Sequence, residues 1–211
     1  SEQFENISTK NPTHEDTDGG RESAISFKGE QSGGEISTLA QIQASHDGTS
    51  DDQKGDLIFK TNDGSDNNAP TEAARIDSSR VFMVGTTNPN PTGASVVGAS
   101  IDASGEGNFS VDGAEALRLN RKSDVGEILN LRKDGTTVGS LGVQSTGFYI
   151  DGEAGHAGIR FAGNEISPRD NGSDADNTVT LGESDKRFKD LYLSGGVVFG
   201  DASAATVTSE T

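Results

Sequence analysis

Apolar and polar residues alternate along this chain in short runs, and the period of two predicts β-strands. The clearest stretch extends from Gly55 to Thr87. In its first run, Leu57 and Phe59 lie on one face of the predicted strand, while Asp56 and Ile58 lie on the other. This stretch therefore predicts a strand with one face that is apolar and one that is mixed.

Two more runs and a turn complete this stretch. The run from Ala74 to Asp77 places Ala74 and Ile76 on one face, and the run from Val81 to Val84 is apolar on both faces. Between the first two runs lies Asn62-Asp63-Gly64, whose residue types tolerate a positive φ and mark a turn. The stretch therefore predicts three strands that are joined by turns.

The same pattern recurs on both sides of this stretch. Further strand-like runs lie at 24–28, 35–44, 109–111, 117–119, 129–131, 138–143, 148–150, 159–161, 179–181, 191–193 and 197–199. Most neighbouring runs are about 8 to 12 residues apart, and turn residues separate them. This spacing is typical of all-β proteins. No segment has helical periodicity over ten residues, although 184–189 could form a single helical turn.

Composition shifts predict five segments along the chain. They are a polar lead-in or linker at 1–22, a first β block at 23–87, a Pro-rich joint at 88–95, a second β block at 96–178, and a C-terminal strand-turn segment at 179–211.

The apolar content is low for a compact domain of this length. Leu, Ile, Val and Phe make up about a fifth of the 211 residues, which is near the range of disordered chains. Here, however, the apolar residues fall in ordered runs rather than at random. We therefore expect an ordered chain with a thin core, in which other copies of the chain supply the missing apolar contacts.

The net charge of the chain and the residue types that it lacks argue against several kinds of partner and binding site. A formal net charge of −17 disfavours nucleic acid and anionic membranes as partners, because both are bound by clustered Lys and Arg. The chain contains no Cys, which excludes disulfides and thiolate metal sites. It contains no run of eighteen apolar residues, so we expect no membrane-spanning segment.

We expect no enzymatic activity and no cofactor. The three histidines, His14, His46 and His156, lie in loop-like sequence, and no nucleophile motif accompanies them. Glycoside cleavage would need two placed carboxylates, and sugar sites commonly add aromatic platforms. The chain has no Trp, and its two tyrosines, Tyr149 and Tyr192, lie in apolar runs where packing is the simpler role.

Two acidic segments resemble parts of calcium loops. Asp16 and Asp18 in one segment, and Asp170, Asp174 and Asp176 in the other, place oxygen ligands at alternate positions. Neither segment has the closing Glu of a complete loop. Turns rich in Asp and Asn are therefore the favoured interpretation, with calcium as the alternative.

Three segments together resemble the tail fibre proteins of tailed bacteriophages, in the region that precedes a C-terminal chaperone or tip domain. They are GDLIFKTNDG with PTEAARIDSS and VFMVGTT, then LRLNRKSDVGEILNLRKDGTTVGSLGV, and then DNTVTLGESDKRFKDLYLSGGV. The resemblance covers roughly residues 24–201, and 181–197 is its most specific part. It departs from the family pattern at 81–84, where relatives often read VGIGTT.

The resemblance implies an elongated, intertwined, parallel homotrimer, built as a β-prism, as a β-helix or as small β-sandwich blocks. It implies a structural shaft in the virion that acts outside the cell, with other tail or baseplate proteins as partners and a host glycan or protein bound by a distal tip. The residues expected in the trimer core are Leu57, Phe59, Ile76, Leu117, Leu119, Leu129, Leu131, Leu191 and Leu193.

Three other functions remain open from the sequence. One is a receptor-binding module that grips host surface polysaccharide. Another is a capsule depolymerase, which we expect less because of the missing aromatic platforms. The third is a bacterial surface adhesin built from similar strand-turn units.

Overall fold

The computed structural model describes residues 8–66 and 68–195, and the chain divides into two units, residues 1–118 and 119–211. In the first unit the strands are β1 (Ser23–Glu30), β2 (Ile36–His46), β3 (Gly55–Thr61), β4 (Thr71–Ile76), β5 (Phe82–Val84), β6 (Gly98–Ile101) and β7 (Gly107–Ser110), with the short helix α1 (Pro91–Ala94). In the second unit they are β8 (Gly126–Lys133), β9 (Thr136–Gln144), β10 (Gly147–Gly152), β11 (Ala157–Ala162), β12 (Glu165–Asp170) and β13 (Ser173–Asp174). The all-β prediction is confirmed.

Each unit contains one antiparallel sheet whose strands pair in sequence order. The first sheet runs from β1 to β7 and the second from β8 to β13. Turns join neighbouring strands, as at Gly64, where a φ of +92° is a conformation that glycine adopts without strain. Among the described residues, the single helix has four residues, too few to cross a membrane.

The strand register of the first sheet aligns apolar residues from strand to strand. One row consists of Ile25, Ile42, Phe59, Ala74, Val84, Ala99 and Phe109, one residue from each strand. A second row contains Ala44, Leu57, Ile76, Phe82 and Ile101. These rows make up one face of the sheet, which we call the exposed face of the first sheet.

The opposite face, the covered face, is where side chains are buried. Within β3, Leu57 and Phe59 on the exposed face are 40% and 36% solvent-exposed, whereas Asp56 and Ile58 on the covered face are 3% and 4% exposed. Met83, also on the covered face, is 1% exposed. The first sheet therefore buries the face on which polar and apolar residues are mixed, and it leaves its apolar face exposed to solvent.

The second sheet likewise exposes an apolar face and buries side chains on the opposite face. Its exposed face carries the row Val143, Phe148, Phe161 and Ile166 beside the row Leu141, Ile150, Ile159 and Pro168. The rings of Phe148 and Phe161 stack with their centroids 6.1 Å apart, yet both side chains remain exposed. Tyr149 and Arg169 are buried on the other face.

Most of the predicted strands are confirmed, but three runs are not strands. Residues 117–119, 179–181 and 191–193 alternate as strands do, yet the structure leaves them irregular. The physical reason is that a strand needs a neighbour for its backbone hydrogen bonds, and no described strand pairs with these runs. The run at 197–199 lies outside the described residues.

The helical turn considered at 184–189 is also absent from the structure. Glu183 and Lys186 instead exchange two backbone hydrogen bonds, of 3.0 and 3.2 Å, and close a tight turn.

The Pro-rich joint predicted at 88–95 lies inside the first unit rather than between two blocks. It leads from β5 to β6 through α1, and Asn90 caps this helix by accepting a 2.8 Å hydrogen bond from the Gly93 amide. The Ser100 hydroxyl of the covered face donates to the Pro89 carbonyl at 2.8 Å. The joint therefore covers part of the first sheet, and the two units meet in sequence after Arg118.

The burial of Met83 leads to a stability prediction. Met83→Ala is expected to lower the free energy of unfolding of the first unit by about 2 to 4 kcal/mol, because it leaves a cavity on the covered face. Val97→Ala, in the same unit and at a side chain 56% exposed, is expected to change it by less than about 0.5 kcal/mol. Urea denaturation followed by circular dichroism measures both, and equal effects would contradict the assigned faces.

Candidate functional site

A polar cavity of about 390 Å³ lies against the covered face of the first sheet. Its lining residues come from the lead-in, from the β3–β4 connection and from three neighbouring strands: Asp18, Gly19, Glu22, Gln43, Ser45, Asp56, Ile58, Lys60, Pro70, Thr71, Glu72 and Arg75. The cavity is the candidate site because it collects the acidic groups of this face.

Strand alternation brings most of these side chains to the cavity. On β3, every second residue, from Asp56 through Ile58 to Lys60, points to the covered face. On β2, Ser45 lies directly opposite Asp56 in the antiparallel register. The hydroxyl and the carboxylate are therefore cross-strand neighbours at the cavity.

A β-bulge adds the remaining carboxylate. Between β3 and β4 the register passes from Phe59 opposite Ala74 to Lys60 opposite Glu72, so one residue of β4 is skipped. An extra residue of this kind reverses the side on which the following side chains lie. Glu72 consequently lies on the covered face, beside Arg75. Without the bulge, Glu72 would point to the exposed face.

Arg75 binds two carboxylates at the cavity. Its Nε and one terminal nitrogen donate to the two carboxylate oxygens of Glu72, each at 2.6 Å. Its other terminal nitrogen donates to Asp56 Oδ2, also at 2.6 Å. The hydrogen bonds to Glu72 raise the pKa of Arg75 above its usual value, with the charges of Glu72 and Asp56 acting in the same direction.

Two buried oxygen atoms at the cavity lack protein partners. Neither Asp56 Oδ1 nor Ser45 Oγ has a hydrogen-bond partner within the described residues, and both side chains are more than nine-tenths buried. Burial raises the pKa of Asp56 to about 6, against the opposing charge of Arg75. Asp47, Asp77 and Asp18 raise this pKa further through charge repulsion.

His46 fastens the lead-in beside the cavity. Its backbone carbonyl accepts from the Gly19 amide at 2.9 Å, and its backbone amide donates to the Gly20 carbonyl. Its ring, almost completely buried, lies between the Thr17 carbonyl at 3.2 Å and Asp52 Oδ1 at 3.1 Å. These contacts place Asp18 and Gly19 in the cavity wall.

Asp52 is the anionic partner of this histidine. The backbone hydrogen bond from Lys54 holds the pKa of Asp52 below its usual value, and the hydrogen bond from His46 adds to the effect. The carboxylate therefore stays ionised at neutral pH and keeps its contact with the His46 ring.

The second unit contains a buried arginine cluster. Arg169, 2% exposed, donates to both oxygens of Asp151, at 2.7 and 2.9 Å, and to the Gly172 carbonyl at 2.7 Å. Its guanidinium lies 4.3 Å from the centroid of the Tyr149 ring. Burial raises the pKa of Tyr149, with the charges of Asp151 and Glu127 next in importance. Protein atoms occupy this cluster, so we assign it a structural role.

The structure does not bring the five candidate calcium ligands together. The described residues contain no group of three or more His, Asp or Glu arranged to hold a metal ion. Asp16 lies 3.8 Å from a nitrogen of Arg21, and Asp18 accepts a hydrogen bond from the Gly48 amide. Asp174 pairs with Arg160 and Arg169, and neither Asp170 nor Asp176 joins a metal cluster in the described part of the chain.

The residues predicted for a trimer core fall into two groups. Leu57, Phe59 and Ile76 lie together on the exposed face of the first sheet. Leu129 and Leu131 lie on strand β8 of the second sheet. The remaining four, Leu117, Leu119, Leu191 and Leu193, lie outside the described strands with more than two-fifths of each side chain exposed.

The sequence did not single out the residues of the cavity. Asp56 and Ser45 lie far apart in the sequence, and only the strand register makes them neighbours. The position of Glu72 depends on the bulge, for which no sequence signal was recognised. The available signal was Asp56 itself, a charged residue that alternates with Ile58 in a strand.

No protein-family model matches this chain, and no curated protein or solved structure matches it either.

The raised pKa of Asp56 leads to a pH prediction. The pKa of Asp56 is about 6 in the folded state, against an ordinary value of 3.8. At pH values between these two, the folded state therefore keeps a proton on Asp56 that the unfolded state has mostly lost. The contribution of Asp56 to stability is therefore present at low pH and is lost as pH rises through about 6. Relative to Asp56→Asn, the wild type is expected to lose about 2 kcal/mol between pH 4.5 and pH 7.

Urea denaturation of both proteins at each pH measures this difference. Asp51→Asn removes one carboxylate from the exposed surface of the same unit and is the matched control, with no comparable change. A wild type that gains stability over Asp56→Asn as the pH rises would contradict the burial of Asp56.

Proposed function

We propose that this chain is a structural segment of a bacteriophage tail fibre, in which three parallel copies pack their exposed sheet faces together to form a shaft. The observation that carries the proposal is the continuous apolar surface that each sheet leaves open. The resemblance of residues 24–201 to tail fibre proteins supports the trimeric state and the viral role.

The apolar surface of the first sheet is larger than scattered exposed residues would produce. Its two rows follow the register across the strands of the sheet and include Ile25, Phe59, Phe82 and Phe109. Monomeric proteins rarely leave contiguous apolar patches of this kind open, because burying them is favourable by about 25 cal/mol per Å². A partner surface of equal size and character would cover it.

A second copy of the same chain suits this surface better than a charged partner does. The two rows contain no charged residue, although the whole chain carries a net charge of −17. Identical copies can therefore approach through these faces without placing like charges opposite one another. The acidic residues remain in the solvent around the assembled shaft, where they favour solubility.

The proposed shaft acts outside the cell as part of the virion. It would connect other tail or baseplate proteins to a distal tip, and this tip would contact the host glycan or protein. The mechanism is mechanical: packed sheets hold the tip away from the particle. The chain itself performs no chemical reaction in this proposal.

Substitution on the exposed face tests the trimer. The wild type is expected to sediment at three times the 21.8 kDa of one chain, and Phe59→Asp is expected to shift this mass towards that of the single chain. Phe188→Asp is the matched control, because Phe188 is 68% exposed and belongs to neither sheet. Analytical ultracentrifugation at micromolar protein measures all three masses.

A wild-type chain that sediments at 21.8 kDa and unfolds cooperatively would overturn the trimer. A stable dimer would retain self-association but exclude the three-fold arrangement. Equal loss of mass in Phe188→Asp would show that the exposed face has no special part in association.

The location on the virion needs a separate test. Antibodies against the purified chain are expected to label the tail fibres of phage particles that carry it, as seen by immuno-electron microscopy. Antibodies against an unrelated capsid protein serve as the control, since they should label the head alone. Labelling of a bacterial surface in the absence of phage would favour the adhesin and exclude the proposed role.

A further inference from the structure

We propose that the cavity on the covered face of the first sheet binds a small aliphatic ammonium compound, of the size of a short diamine. Asp56 would accept a hydrogen bond from the ammonium group, and Ser45 would accept a second one. This binding site is separate from the exposed face and does not depend on the tail fibre proposal.

The two unpaired oxygens at the cavity call for a hydrogen-bond donor. Asp56 Oδ1 and Ser45 Oγ lie on paired residues of β2 and β3, and neither has a partner among the residues that the structure describes. A buried polar group without a partner costs free energy that a bound donor recovers. An ammonium group carries several N–H donors, which is enough to serve both oxygens at once.

The charges around the cavity favour a cation. Four carboxylates, from Asp18, Glu22, Asp56 and Glu72, line it together with only two cationic side chains, Lys60 and Arg75. Arg75 already binds Glu72 and Asp56, so its charge is engaged. An anionic ligand would meet net repulsion here, whereas a cation would meet attraction.

The geometry disfavours a bare metal ion as this cation. Divalent ions such as calcium take six or more oxygen ligands, and the described residues contain no suitable cluster of acidic groups. Both oxygens of Glu72 and one oxygen of Asp56 are engaged by Arg75. The one free oxygen of Asp56, beside the Ser45 hydroxyl, suits an N–H donor better than it suits a metal.

The rest of the lining suits a short hydrocarbon chain rather than a sugar ring. Among the described residues, no aromatic side chain lines the cavity, so a sugar would find no stacking surface there. Ile58 and Pro70 are buried there and offer apolar contact to methylene groups. A charge-assisted hydrogen bond to Asp56 is also stronger than one from a neutral hydroxyl.

Titration with three four-carbon probes tests the proposal. The full-length chain is titrated at pH 7.5 and low salt with putrescine, 1,4-butanediol or succinate, which differ in charge but not in chain length, and isothermal titration calorimetry measures binding. Putrescine is expected to bind saturably, and the diol and the dianion are not. Binding of the diol or of succinate as tight as that of putrescine would overturn the proposal.

Two variants and one control assign the binding to the cavity. Asp56→Asn is expected to weaken putrescine binding by at least about tenfold, since it removes the charged acceptor. Asp51→Asn, which removes the same charge from the exposed surface of the same unit, is expected to bind as the wild type does. Equal weakening in both variants would indicate general attraction to an acidic protein and would overturn the site.

Ser45→Ala is a second variant that tests the same site in case Asp56→Asn does not fold. This substitution removes only the hydroxyl oxygen and leaves the contact between Arg75 and Asp56 intact. It is expected to weaken putrescine binding several-fold with an unchanged circular dichroism spectrum. Unchanged affinity in Ser45→Ala would overturn the two-oxygen site. Because the exposed face is untouched, failure here would leave the mass of the assembly, and with it the tail fibre proposal, unaffected.

Discussion

The two faces of each sheet are unequally covered, and the rest of the structure depends on this inequality. Each unit contains one sheet. In the first unit, the lead-in, the connecting loops and α1 lie against the face that carries Asp56, Arg75 and Met83. Leu57 and Phe59 on the other face remain exposed in the described part of the chain. A layer of this kind needs a second apolar surface to complete its core.

The covered faces combine apolar side chains with buried ion pairs. Arg75 with its two carboxylates, and Arg169 with Asp151, form well-aligned ion pairs on the covered faces. Such pairs lose much of their attraction to the cost of removing charges from water, so buried apolar side chains such as Met83 contribute more of the stability. Other large apolar side chains, such as Phe59 and Phe148, stay open to solvent on the exposed faces. Under the trimer proposal, association of copies would bury them and would couple folding of the sheets to assembly.

The sequence predicted the strands well where alternation and a neighbouring strand occur together, as in β3 and β10. It missed β6 and β12, where small residues and Pro168 weaken the apolar pattern. It also assigned strands at 117–119 and 191–193, because alternation alone does not supply a pairing partner. The exposed face was predictable from residue types, since Leu57 and Phe59 repeat with period two. The cavity was not, because it depends on the register between β2 and β3 and on a bulge in β4.

Successive residues of strand β3 alternate between the exposed face of the first sheet and the cavity. Asp56 faces the cavity and Leu57, the next residue, faces outward. A slip of one residue would exchange these faces, placing a carboxylate on the apolar surface and a leucine beside Arg75. The same register therefore has to be correct for both surfaces. The bulge in β4, opposite Phe59 and Lys60, then brings Glu72 to the same side as Arg75, so the cavity depends on an irregularity in the middle of the sheet.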